Sequence, residues 1–170
     1  MNKPLTFLVS LTFLFLFSGS VYGQEEVKKE YWDNGKLKSE THYKNGKKDG
    51  LETTWWWDTG EKDYEIHWKN GKREGLATYW YESGEKKYEV LWKNGEQEGM
   101  ETSWYESSEK MYQIPWKNGE KEGLETYWYE SGNKESELHW KNGELEGIRK
   151  EWDVNGNLTF QGNFVDGNEE

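Results

Sequence analysis

Residues 75–99 read GLATYWYESGEKKYEVLWKNGEQEG, and the stretch holds one complete structural unit. Leu76 to Tyr81 and Lys86 to Trp92 are runs of about six residues rich in Thr, Tyr, Trp and Val, the types and the length that suit a pleated strand. Ser83-Gly84 separates the two runs and Asn94-Gly95 ends the second. Asn-Gly is a strong hairpin signal because both residues tolerate the positive φ of a turn whose twist matches the flanking strands. A glycine every dozen residues or fewer, with no 3.6-residue apolar period, excludes a long helix.

The same punctuation recurs along the chain. Lys-Asn-Gly ends at Gly46, Gly71, Gly95, Gly119 and Gly143, and Val165-Asp166-Gly167 is a weaker sixth copy. A further glycine follows four residues later, at Gly50, Gly75, Gly99, Gly123 and Gly147. The other turn recurs at Gly35, Gly60, Gly84, Ser108, Gly132 and Gly156. The period is 24 residues with a single 25, which places one inserted residue between Gly50 and Gly60, read as a bulge at Trp55-Trp56-Trp57. Short turns leave no room for crossovers, so neighbours in sequence become neighbours in space. The expected fold is all-β: an open, single-layer antiparallel meander of about twelve strands, made of six tandem hairpin repeats.

Ahead of the repeats, Lys3 precedes an apolar run from Leu5 to Phe17, and small residues lead to Gly23. The run is shorter than the roughly 20 apolar residues that cross a bilayer, and it reads as a signal peptide over residues 1–23. Residues 24–29 are then a short linker, and residues 30–170 the repeat domain. Export follows, to the periplasm, the cell surface or the medium. The chain has no cysteine, hence neither a lipid-attachment thiol nor a disulfide framework. Without Lys3 the balance is 21 basic against 33 acidic residues, a net charge of −12. Nucleic acid and anionic membrane surfaces are disfavoured partners, because both reward a basic patch.

Gly123-Leu124-Glu125-Thr126-Tyr127-Trp128-Tyr129-Glu130-Ser131-Gly132, followed by Trp140-Lys141-Asn142-Gly143, resembles the variant form of the MORN repeat found in bacterial proteins grouped as YwqK-type antitoxins. The resemblance spans roughly Glu30 to Gly167. It implies an open, twisted meander of hairpins and no common catalytic residue. Ser108 departs from the pattern at a turn glycine, and Trp55-Trp56-Trp57 carries the extra residue.

Two aromatic series keep step with the repeat. One stands three residues before each Lys-Asn-Gly glycine: Tyr43, Trp68, Trp92, Trp116, Trp140 and Phe164. The other stands four residues before the second turn: Tyr31, Trp56, Trp80, Trp104, Trp128 and Trp152. Cross-strand aromatics supply contact area to a sheet with no second layer, and exposed ones are binding hot spots. Equivalent positions are two strands apart, about 9.5 Å, so a repeating partner can meet them in series. A two-residue Asn-Gly loop puts Trp92 and Trp104 on opposite faces; a three-residue loop with a bulge puts them on one.

A repeat offers the same few groups along a surface, whereas catalysis needs different groups at one point. No catalytic residue and no cofactor are expected, and Glu82, Glu106 and Glu130 read as solvated charges. His42, His67 and His139 occupy one repeated position about two strands apart, too far to share a metal whose ligands sit about 2 Å away. The expected function is non-enzymatic protein binding, antitoxin- or immunity-like, with an unidentified protein partner. The alternatives are polysaccharide or cell-wall binding through the aromatic rows, and a structural spacer.

Overall fold

A computed structural model describes residues 9–11 and 23–170. The signal segment falls outside the described residues except for Gly23 and Val9–Leu11, β1, and the backbone of β1 pairs antiparallel with residues 27–29. The repeat region forms a single antiparallel sheet of sixteen strands, with no helix among the described residues. They are β2 (Glu25–Tyr31), β3 (Leu37–Lys44), β4 (Lys47–Trp55), β5 (Lys62–Lys69), β6 (Lys72–Arg73), β7 (Gly75–Trp80), β8 (Lys86–Lys93) and β9 (Glu96–Trp104). There follow β10 (Lys110–Lys117), β11 (Glu120–Lys121), β12 (Gly123–Trp128), β13 (Lys134–Lys141), β14 (Glu144–Leu145), β15 (Gly147–Trp152), β16 (Leu158–Val165) and β17 (Asn168–Glu169). β6 and β7 both pair with β5, β11 and β12 with β10, and β14 and β15 with β13, each couple being one strand interrupted at its bulge. Otherwise each strand pairs with its neighbours in sequence, so the fold is the open meander expected. The expected linker at 24–29 is a correction: from Glu25 those residues are strand, paired with β3 through Glu25↔Lys44 and Lys29↔Glu40.

The turns behave as their chemistry requires. Lys93 pairs with Glu96, which leaves Asn94-Gly95 as a two-residue loop with φ of +54° and +92°. The glycine four residues on makes a bulge: between the pairs Glu89↔Thr102 and Leu91↔Glu98, Val90 of β8 opposes Gly99, Met100 and Glu101 of β9, with Gly99 at φ +74°. Because the bulge adds two residues, it leaves the alternation of side chains intact.

Two faces result. The first carries Tyr64, Ile66 and Trp68 on β5, Ala77 and Tyr79 on β7, and Tyr88, Val90 and Trp92 on β8, paired row by row. Ile66, Ala77 and Val90 are buried, with these tyrosines and tryptophans packed around them. The tyrosines form a tilted row, with ring centroids 5.5 Å apart for Tyr64 and Tyr79 and 5.3 Å for Tyr79 and Tyr88. A single sheet thus buries its apolar centre under its own aromatic side chains.

Candidate functional site

The two-residue turn and the even bulge put the tryptophan series on opposite faces. Trp68, Trp92, Trp116 and Trp140 belong to the first face. Each stands opposite, or beside, the bulge glycine of its neighbour strand, as in Gly50↔Trp68, Gly75↔Trp92 and Gly123↔Trp140. Beneath two of them lies a buried carboxylate. Trp68 Nε1 donates to Glu52 at 2.8 Å, and Trp116 Nε1 to Glu101 at 2.7 Å. Lys48 Nζ, Gln97 Nε2 and Lys121 Nζ complete the sites, donating to Glu52, Glu101 and Glu125 at 2.7, 2.9 and 2.7 Å. Glu82, Glu106 and Glu130 are exposed, whereas Glu52, Glu101 and Glu125 are buried, the last only 2% exposed. Such carboxylates persist in the interior because charge-assisted hydrogen bonds satisfy them.

Burial pushes the neighbouring tyrosine hydroxyls up. Tyr64 and Tyr112 rise from 10.0 to about 12, with the carboxylates of Glu52 and Glu101 adding to the desolvation. Tyr88 and Tyr127 move in the same direction and further, for the same first reason.

The second face is built from the alternate positions. Trp80, Trp104, Trp128 and Trp152 close their strands there, and lysines lie over three of the rings. Lys62 Nζ is 5.5 Å from the Trp80 centroid, Lys86 Nζ 5.7 Å from Trp104 and Lys110 Nζ 5.9 Å from Trp128. The same lysines reach along their strands to Glu65, Glu89 and Gln113. Those acceptors stand opposite the buried Thr53, Thr78, Thr102 and Thr126 through the pairings Thr53↔Glu65, Thr78↔Glu89, Glu89↔Thr102 and Gln113↔Thr126.

Trp56 is a correction. Trp55, not Trp56, pairs with Lys62 as Trp80 pairs with Lys86. The inserted residue lengthens the turn and is not a strand bulge: Gly60 N–H bonds Trp56 C=O across four residues, where Gly84 N–H bonds Tyr81 C=O across three. Trp56 therefore stands at the turn position of Tyr81, Tyr105 and Tyr129. Those hydroxyls donate to the carbonyls of Trp104, Trp128 and Trp152, at 2.8, 2.8 and 2.9 Å. Trp56 Nε1 is buried without an acceptor.

A third row on the second face escaped the sequence reading. Leu76 pairs with Leu91, Met100 with Pro115, Leu124 with His139 and Ile148 with Asn163. Leu76, Leu91, Met100, Leu124 and Ile148 are all between 40% and 49% exposed. The signal was present, since an apolar residue follows every bulge glycine from Gly50 to Gly147. His67 and His139 belong to this row, each with Nδ1 within 3.1 Å of a strand carbonyl, Leu76 O and Ile148 O. The turn glycines Gly46, Gly71, Gly95, Gly119 and Gly143 all adopt positive φ.

The arrangement defines a class: a tandem-hairpin β-meander with an aromatic, carboxylate-bearing face and an amphipathic one. The family model for the MORN repeat variant matches residues 27–45, 73–94, 121–142 and 145–166, together half of the chain. The protein belongs to the MORN repeat variant family. No curated protein matches the sequence.

Proposed function

We propose that the chain is an exported, non-enzymatic binding protein that docks a protein partner on the second face of its sheet, in an antitoxin- or immunity-like manner. The observation that carries this reading is the exposed apolar row of Leu76, Leu91, Met100, Leu124 and Ile148 on β7, β8, β9, β12 and β15, with Pro115 and His139 on the strands between and the threonine and tryptophan–lysine rows beside it. An ordered apolar strip with a polar rim is the anatomy of a recognition surface. The apolar N-terminal run supports export, and the reading of the repeat as a one-dimensional surface supports contact with an extended partner.

The test is a pull-down of mature chain from the producing cell's envelope fraction. A partner retained by wild type and by Val154→Glu, a substitution at an exposed turn residue off the strip, is expected to be lost with Met100→Glu plus Leu124→Glu. Both strip residues are exposed, so the substitutions leave stability within about 0.5 kcal/mol. Equal recovery by all three would overturn the assignment of the face. Polysaccharide binding is the second reading, favoured by the tryptophans of the second face standing at repeat spacing. Quenching of tryptophan emission by soluble polysaccharide, with no protein retained, would replace the first reading by it.

A further inference from the structure

The first face breaks its own rule in one unit. Ala77 occupies the place that Glu52, Glu101 and Glu125 fill, flanked like Glu101 by β-branched neighbours, here Ile66 and Val90. Arg73 occupies the place of Lys48, Gln97 and Lys121, each of which donates to its unit's glutamate. Two donors are left over. Trp92 Nε1 is buried with no acceptor, whereas Trp68 and Trp116 each donate to a carboxylate. Arg73 forms no ion pair among the described residues. Its guanidinium carbon lies 4.7 Å from the Trp92 ring centroid and 5.8 Å from that of Trp68. Trp140 Nε1 also lacks an acceptor, but there Glu125 is present and held by Lys121 at 2.7 Å, so that unit has no surplus cation.

Arg73 and the two rings line a groove of about 500 Å³, with Lys72, Asn94 and Glu96 among its other walls. The acidic groups around it are largely committed. Glu52 is held by Lys48 and Trp68, and Glu74 accepts from the Asn94 backbone N–H at 2.6 Å, which leaves Glu96 at the wall. Lys72 adds a second positive charge on the same wall.

We propose that this groove is a carboxylate-binding subsite, in which Arg73, beside the Trp92 ring, holds from outside the group that Glu52 and Glu101 supply from within. A guanidinium presents paired N–H donors that match a carboxylate's two oxygens, and its place over the Trp92 ring restricts its motion. The ligand class is a carboxylate on a short apolar stem, the form of a glutamate side chain. A free acid and an acidic residue of a partner both present it. The subsite lies on the face opposite the exposed apolar strip, so it stands or falls independently of that docking surface.

The experiment follows the indole N–H resonances of the full chain during titration with propionate and, separately, with a blocked Gly-Glu-Gly peptide. Saturable movement of the Trp92 signal alone is expected, and the tighter of the two ligands identifies the source. Arg73→Gln, which copies Gln97, should weaken the binding at least tenfold. Ala77→Glu, which supplies Arg73 with a carboxylate from within as Glu52 does Lys48, should abolish the response. Equal movement with sodium chloride or inorganic phosphate at matched ionic strength would overturn the proposal, as would a response shared by all the tryptophans. If Ala77→Glu does not fold, an unchanged affinity in Arg73→Gln alone refutes it.

Discussion

Ser108 holds φ +67° at a turn where the other five units have glycine between +78° and +87°. A side chain in that region clashes with the adjacent backbone, at a cost of about 1 kcal/mol. Its hydroxyl recovers part of the cost by donating to Glu85 at 2.8 Å on the surface, where such a bond contributes little. Ser108→Gly is therefore expected to raise the unfolding free energy by up to about 1 kcal/mol in urea titration; a lower midpoint would show that the Glu85 bond outweighs the backbone strain. The substitution is visible in the sequence because it interrupts a glycine series. Trp56 was misplaced for the opposite reason. Counting back from Gly60 assumes a turn of constant length, and the extra residue had entered the turn itself.

At the level of the hairpin, the bulge glycine aims the acidic residue before it at the following unit. Asp49, Glu74, Glu98 and Glu122 each accept from the backbone N–H of the next Lys-Asn-Gly asparagine, at 2.9, 2.6, 2.9 and 2.8 Å. Beside each contact, the turn glycine donates to the neighbouring strand, as Gly119 N–H does to Gln97 C=O at 3.0 Å. Glu98→Ala removes one such link and is expected to cost about 1 kcal/mol, with faster amide exchange at Asn118 and no change at Asn142. Equal acceleration at both amides would mean that the units do not respond separately. Strand order, hairpin positions and repeat number were legible because Asn-Gly and the recurring glycines dictate local φ. The opposition of the two tryptophan rows was not, since it depends on whether the bulge inserts an odd or an even number of residues. The buried glutamates were also hidden: Glu101 and Glu106 are alike in sequence, and only the lining of Trp116 and Gln97 separates them.

Across the whole molecule, the first face is a continuous aromatic and carboxylate layer whose integrity depends on neutral tyrosines. Tyr64 and Tyr112 ionise at about 12 in the folded chain against 10.0 when exposed, chiefly through burial. Because the folded values are raised, this contribution to stability is complete below pH 10 and disappears as the pH climbs toward 12, where the unfolded chain has already lost its phenolic protons. Tyr88 and Tyr127 shift in the same sense, so the loss is shared along the ribbon from β5 to β12. The melting temperature should hold steady from neutral pH to about 10 and then fall steeply. Tyrosinate absorbance from this row should appear together with loss of the β-sheet circular dichroism signal, not ahead of it. Ionisation of these tyrosines near pH 10 with the sheet intact would show that the row is solvated and that the aromatic layer is not what holds the single sheet together.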